Sequence, residues 1–386
     1  MGGTADLLAD LLDSDAQDVT ERGRARFADA AGSAAGRIVL AGTGQVGRLA
    51  VDRLRRAGIE PLAVTDNDAH RWGTDLAGIR VLPPAEAVDR YAADSVVVAT
   101  LFNPDPVLAQ FQAAGCERVV PWTWLAWHYH EQFLPYFGLD LPHGMLAARD
   151  RVQWLHDLLD DDDSRTSLVE QVRWRLDLDP GALSPPSPSE DTYTLPGRLT
   201  PSPDDVFVDC GAFDGDTVRL LLEHTGGRAR AIVALEPDPV NAARLSAMVE
   251  RLPRDVRERV VVHQVAAGAQ AGTARFRASG SAGSGVSDGG EIEVPVVSLD
   301  TLLTGTDATY VKMDVEGAEL DALAGARHLI AAGTAAWAVC TYHAADHLWT
   351  VPMHFAAAGD RYRHHLRRYA ADCWELVHYA VPAGRG

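Results

Sequence analysis

At 386 residues the chain has room for two or three domains with sizeable cores. Hydrophobic residues make up 47% and charged residues 23%, the balance of a globular protein, and no run of 18 apolar residues is present to span a membrane. A formal net charge of −19 argues against nucleic acid as the main partner, since phosphate binding needs a basic surface; a small neutral or cationic substrate is expected instead.

The N-terminus, MGGTADLLADLLDSDAQD, is acidic and lacks the basic start and apolar run of a secretory signal. Cys116, Cys210, Cys340 and Cys373 are widely spaced, with no CxxC pair. That pattern suits reduced thiols in a cytoplasmic protein.

In chain order, residues 4–31 read as one or two amphipathic helices. The strand Arg37–Ala41 leads into GTGQVG, after which Val46, Leu49, Ala50, Leu54 and Ala57 recur at helical spacing. Leu62–Thr65, ending at Asp66, and Ser95–Thr100 are further strands. Strands alternating with helices predict a parallel sheet covered on both faces. The segment 121–138 then concentrates seven aromatic residues, to be read as an acceptor-binding wall or as a domain or subunit interface, which would fit a homo-oligomer. Helices are expected over Met145–Leu159 and Ser164–Leu176, with Asp160–Asp163 a solvated capping run. Residues 179–205 are too rich in proline and serine for helix or strand and read as a linker or draped loop.

A second α/β pattern follows, with strands at Val206–Asp209, Ala231–Leu235, Val260–Val265, Ile292–Val297, Thr309–Met313 and Ala336–Thr341. Helices are expected from Asp216 to Glu223 and around Val240, Met248 and Leu252. The stretch 278–290 should be a mobile loop, since glycine and serine dominate it. The basic cluster Arg361–Arg368 reads as a solvated helix face.

The most informative stretch is VFVDCGAFDGDT, Val206–Thr217. A strand ends at Asp209, and Gly211 and Gly215 turn the chain into a helix close enough to touch a ligand. A carboxylate inside this DxGxxxG turn would repel a pyrophosphate but suits the ammonium and sulfonium of S-adenosylmethionine. Glu236 ends the second strand 21 residues after Gly215, where an acid can hold both ribose hydroxyls. The bland alternative is an ordinary strand–turn–helix with an exposed acid.

VDCGAFDGD, LEPDP (235–239), VAAG (265–268), VSLDTLL (297–303) and above all YVKMDVEGAELDALAGA (310–326) resemble the FkbM family of methyltransferases, over about Asp204–Pro352. The core K-x-D-x-E-G-x-E stands here as Lys312, Asp314, Glu316, Gly317 and Glu319. The resemblance implies a class I, Rossmann-like methyltransferase fold and transfer of methyl to a hydroxyl of a sugar or natural product. The candidate cofactor set is Asp209, Gly211, Ala212, Phe213, Asp214, Gly215, Glu236, Pro237, Ala266 and Asp314.

Methylating an alcohol requires its proton to leave. Asp314, at the C-terminal end of a strand, is the candidate acid that orients the acceptor, and His343, just past another strand, the candidate base. A surface or core histidine is the equal alternative. Glu316 and Glu319 are expected in the first turn of a helix, with Glu319 structural; strand alternation leaves the exposure of Lys312 open. No ligand spacing is tight enough to assign a metal, although Asp314, Glu316 and His343 are weak candidates for a divalent ion.

In the N-terminal half, Gly42, Gly44 and Gly47 with Asp66, 19 residues further on, spell a dinucleotide fingerprint and a candidate second nucleotide site. The continuation VTDNDAHRWGTDLAGIRVLPPAEA (64–87) resembles the nucleotide-sugar-binding domains beside certain sugar acyltransferases, in which such a unit need not bind a nicotinamide. NAD, another nucleotide, and a structural or assembly role all stay open.

The expected fold class is therefore α/β, with two Rossmann-like units joined by a helical, proline-rich connector. The boundaries fall at N-terminal helices 1–35, a nucleotide-binding-type unit 36–121, the connector 122–203 and a methyltransferase unit 204–386. The leading function is S-adenosylmethionine-dependent O-methylation of a small molecule. An NAD(P)-dependent oxidoreductase and a non-catalytic nucleotide-binding scaffold are the alternatives.

Overall fold

The computed structural model describes residues 3–101, 103–179, 181, 183–280, 283–287, 289–372 and 374–385. Cys373, with positions 180, 182, 281, 282 and 288 of the expected linker and loop, lies outside the described residues. The other three cysteines are buried free thiols. Among the described residues no helix is long and apolar enough to cross a membrane. The chain forms two compact units, Met1–Arg149 with Val169–Pro185 and Ala370–Trp374, and Asp150–Leu168 with Pro186–Tyr369 and Glu375–Gly386.

The first unit holds β1 (Ile38–Ala41), β2 (Ala63–Thr65), β3 (Asp75–Leu76), β4 (Ile79–Leu82), β5 (Val96–Ala99) and β6 (Val119–Pro121), in the order β3-β4-β2-β1-β5-β6. Every residue of β1 and β5 is buried, as a parallel strand covered on both faces requires. The helix Gln45–Arg56 buries Val46, Ala50, Val51 and Leu54 at helical spacing. The aromatic segment packs inside this unit. Trp122 and Trp127 are buried, and Trp122 stacks on Trp374 at 6.4 Å and meets Tyr136 edge-on at 5.3 Å.

The second unit contains β7 (Val206–Cys210), β8 (Ala231–Leu235), β9 (Val260–His263), β10 (Ala266–Ala267), β11 (Gly272–Arg277), β12 (Gly285–Val286), β13 (Ile292–Val297), β14 (Tyr310–Met313), β15 (Ala336–Cys340), β16 (Tyr362–Arg368) and β17 (Leu376–Pro382). Its main sheet runs β16-β17-β15-β14-β7-β8-β9, parallel from β15 to β9, with β16 and β17 an antiparallel hairpin on one edge. The order departs in opposite directions from β7 and β14. The C-terminal ends of these two strands are therefore the switch point at which ligands of open α/β sheets gather. A smaller sheet, β10-β13-β11-β12, lies beside it in sequence.

Four local expectations are corrected. The helix expected over Met145–Leu159 is two, His143–Ala147 and Arg149–Leu158. Arg361–Arg368 is no helix face but strand β16, in which Leu366 is fully buried. Part of the loop 278–290 is strand β12, paired with β11. Lastly, the aspartate run is only partly solvated. Asp161 caps its helix through Ser164, whose N–H donates at 2.8 Å, and also lies 2.6 Å from His365 Nδ1 and 3.1 Å from Arg367.

Burial opposes ionisation of Asp161, yet His365, Arg367 and Ser164 hold its carboxyl far below the usual carboxylate range. Such a group stabilises the fold above its unfolded pKa of about 3.9 and loses that contribution as pH falls below it. Asp161→Asn should lower Tm at pH 7 and flatten the fall in Tm between about pH 5 and pH 3. Parallel pH profiles for the two proteins in a thermal melt would refute the role.

Candidate active site

The turn after β7 is built around a close backbone approach. Gly211 has φ +80°, and a Cβ there would lie 1.8 Å from the carbonyl oxygen of Asp314. Only glycine lets β7 and β14 deliver both turns to one point. The turn is completed by Ala212, Phe213, Asp214 and Gly215, and the helix Asp216–His224 follows. Glu236, at the end of β8, is buried and accepts the Phe213 N–H at 2.8 Å and the Asp238 N–H at 2.8 Å, one on each oxygen. Burial outweighs these bonds and pushes its carboxyl up to about 7. A carboxylate has about four lone-pair sites, so both oxygens keep capacity for ligand hydroxyls. Asp214 turns aside to Arg219, 2.7 Å away. Pro237 follows Glu236, and Ala266 is buried in β10.

Parallel pairing puts Lys312 of β14 directly opposite Asp209 of β7. Both are buried, and Lys312 Nζ lies 3.1 Å from Asp209 Oδ1 and donates to the Gly211 carbonyl at 2.7 Å. The ammonium thereby ties strand to turn. Burial, opposed by Lys312 and reinforced by Asp216, pushes the Asp209 carboxyl up to about 6. The ring of Tyr193 lies 5.2 Å from the ammonium, and its Oη donates to Asp314 Oδ2 at 2.8 Å. Tyr193 sits at φ +62°, an uncommon backbone for a bulky residue.

On the other side of Asp314 is His343, its side chain fully buried just past β15, with Nε2 3.3 Å from Asp314 Oδ1 and 3.8 Å from Glu316. Its Nδ1 lies 2.8 Å from Glu319, which also accepts the Val315 N–H at 3.0 Å and meets His347 Nδ1 at 3.2 Å. Burial alone would lower the His343 pKa; Glu319, then Asp314 and Glu316, push it up to about 10. Glu319 is correspondingly held far below the carboxylate range, against its burial, by His343 and His347. Burial and Asp314 raise Glu316 and Glu375 despite the nearby imidazolium. The result is one buried imidazole, its basicity raised, set among the carboxyl groups of Glu319, Asp314, Glu316 and Glu375.

Residues 209–357 match the methyltransferase FkbM domain family. This part of the chain is an FkbM methyltransferase domain. The whole chain shares its fold with methyltransferase FkbM from Methylobacillus flagellatus KT, at 22% identity, TM-score 0.78, and coverage of 98% of this chain and 99% of that one. A putative rRNA-methylase from Clostridium thermocellum aligns at TM-score 0.31 and 12% identity over 47% of this chain and 88% of that one. Aeropyrum pernix fibrillarin aligns at TM-score 0.31 and 11% identity over 50% and 71%. No curated protein matches the chain in sequence.

Within the FkbM domain the structure links Asp209, Gly211, Phe213, Glu236, Asp314 and His343 by contact: Lys312 joins Asp209 to Gly211, Glu236 holds Phe213, Gly211 lies against Asp314, and Asp314 lies beside His343. It also adds residues that sequence patterns did not single out. Tyr193 comes from the segment expected to be a linker, and Glu375 from the start of the β17 strand. Glu316 is not in a helical turn: the helix begins at Glu319, and Glu316 sits in a loop at φ +54°. Asp314, Glu316 and His343 offer ligand atoms within 4.8 Å of one another, the set that could hold a divalent ion. The glycine-rich loop reaches the same place. Gly280 N and Ser284 Oγ donate to Asp238 at 3.0 and 2.7 Å, and Gly285 lies against Glu316.

The fingerprint of the first unit is arranged differently. A Cβ on Gly47 would lie 2.1 Å from the Gly42 carbonyl oxygen, so this glycine serves helix–strand packing. Gly44 precedes the helix Gln45–Arg56 as its N-cap. Asp66 folds back, accepting the Thr43 N–H at 2.8 Å, the Thr43 hydroxyl, and the Asp68 N–H at 2.9 Å. Gly42 and Asp66 line a cavity of about 100 Å³. Ligand pockets commonly measure roughly 300–1,000 Å³.

Proposed function

We propose that the FkbM domain binds S-adenosylmethionine across the C-terminal ends of β7, β8 and β14 and methylates a hydroxyl of a small molecule, a sugar or natural product. The observation that carries this is the Asp314–His343 pair, 3.3 Å apart beside the glycine turn. The residues fit the cofactor: the turn at Gly211 has no side chain to block approach, and Glu236 retains acceptor sites for ribose hydroxyls. S-adenosylmethionine supplies an electrophilic methyl group on a sulfonium, which leaves as a neutral thioether.

The chain's own part is to orient the acceptor and take its proton. The carboxyl neighbours of His343, Glu319 first, raise its pKa and favour its protonated form, so in this reading the Asp314 carboxylate, rather than His343, takes the proton. Tyr193, bonded to the other Asp314 oxygen, fixes that carboxylate in place. His343 stabilises negative charge on Asp314 and the attacking oxygen, and Glu319 locks the ring orientation. A positioned base of this kind contributes ~10²–10⁴-fold. For the first unit we propose a structural role, because Asp66 is occupied by Thr43 of the glycine turn and by Asp68, and the adjoining cavity is small for a nicotinamide cofactor.

Glu236→Ala tests the cofactor placement. Hydrogen bonds to a charged acceptor are worth ~1.5–3 kcal/mol each, so calorimetry should show S-adenosylmethionine affinity reduced at least about tenfold. Wild-type affinity would overturn the placement. The loop around Gly280–Gly285, anchored between Asp238 and Glu316, should gain hydrogen-exchange protection when cofactor and acceptor are both bound. Equal exchange in free and fully liganded protein would exclude closure.

A further inference from the structure

A second cavity, of about 570 Å³, lies apart from this chemistry, between the helices Arg149–Leu158, Glu319–Ala324, Arg327–Ala332 and His347–Ala356. Its volume is that of a small-molecule pocket, and the space between helices is a common place for one. Leu320 and Ile330 contribute apolar wall, and Met353 is 41% exposed beside them. Arg151 and Arg327 supply its charge, and His354 lies beside them. No carboxylate lines it, although the chain carries a net charge of −19. Among the described residues, the side chains of Arg151, Arg327 and His354 take part in no hydrogen bond or ion pair. Burial and the Arg327 guanidinium lower the His354 pKa, which favours its neutral form and leaves the two guanidinium groups as the charge of the cavity, with no carboxylate in its lining. Like charges gathered against apolar surface favour a ligand with a single anionic head and an apolar body.

We infer that this cavity binds an amphipathic carboxylate, its head held by Arg151 and Arg327 and its chain or ring lying over Leu320, Ile330 and Met353. The site is independent of methyl transfer, and its test needs no acceptor. Decanoate titrated calorimetrically into the full-length chain should bind saturably at one site. Acetate, with the head but no body, should not bind, and decanol, with the body but no head, should bind at least about tenfold more weakly than decanoate. The double variant Arg151→Glu/Arg327→Glu, altered only at exposed side chains, should lose at least about tenfold in decanoate affinity. Met353→Asp should weaken binding as well. Absence of saturable binding, equal binding of acetate, or an affinity untouched by the double charge reversal would each overturn the assignment. S-adenosylmethionine affinity, measured on the same variants, should be unchanged, which keeps this result separate from the cofactor reading.

Discussion

Asp314→Asn and His343→Gln are each expected to lower kcat by ~10²-fold or more while affinity for S-adenosylmethionine changes little. Both substitutions keep approximate shape. The first removes the carboxylate proposed to take the acceptor proton, and the second removes the imidazole 3.3 Å from it. In the proposed placement cofactor affinity rests on different contacts, at Glu236 and the Gly211 turn, so the loss should appear in turnover. Tyr193→Phe supplies a graded control, since it deletes one hydrogen bond to Asp314 and leaves the charge in place. Its effect should fall between wild type and Asp314→Asn. Restoration of turnover by added magnesium and its collapse with a chelator would reassign Asp314, Glu316 and His343 as metal ligands. Normal turnover of both variants in either condition would remove the catalytic assignment and leave the FkbM domain with only its cofactor site.

Lys312→Met should destabilise the fold by about 3–5 kcal/mol, because it leaves a buried carboxylate at Asp209 without its partner. The Gly211 carbonyl loses its donor in the same step. The effect should depend on pH in a particular direction. The Asp209 pKa is already raised to about 6 by burial, above its unfolded value of about 3.9, so the folded state binds the extra proton. Its contribution therefore improves as pH falls from above the folded pKa toward the unfolded one. Without Lys312 the folded pKa rises further, and the penalty at pH 7 should shrink at pH 5. Denaturant unfolding of Lys312→Met at both values checks this. The double variant Lys312→Met/Asp209→Asn, which buries no charge at this point, should recover much of the loss. A single variant as stable as wild type at pH 7, or no recovery in the double, would show that the pair does not couple β7 to β14.

What was legible in the sequence was local. The buried strands of both sheets appear as short apolar runs because parallel strands are covered on both faces, and Ala231–Leu235 was bounded to the residue. The turn after β7 was visible because a close backbone approach demands glycine at Gly211. Asp314 and His343 could be placed at one sheet edge because each follows a strand of the same sheet. The FkbM resemblance rests on residues within these same short stretches.

Only the tertiary structure decided which side chains meet. Lys312 alternates along β14 like any strand residue, and its burial follows from register against Asp209, more than a hundred residues earlier. Tyr193 lies in a stretch whose prolines forbid helix and strand but not packing, and its bond to Asp314 spans 121 residues. Glu319 looked like an acid favoured by a helix dipole; its partners His343 and His347 come from beyond another strand. The hairpin of β16 and β17 was hidden because His364, His365 and Arg368 are buried, and His365 and Arg367 are paired with Asp161, distant in sequence. Backbone preference acts over a few residues and leaves a pattern there. Charge pairing inside a core depends on strand order and register, which no local pattern carries.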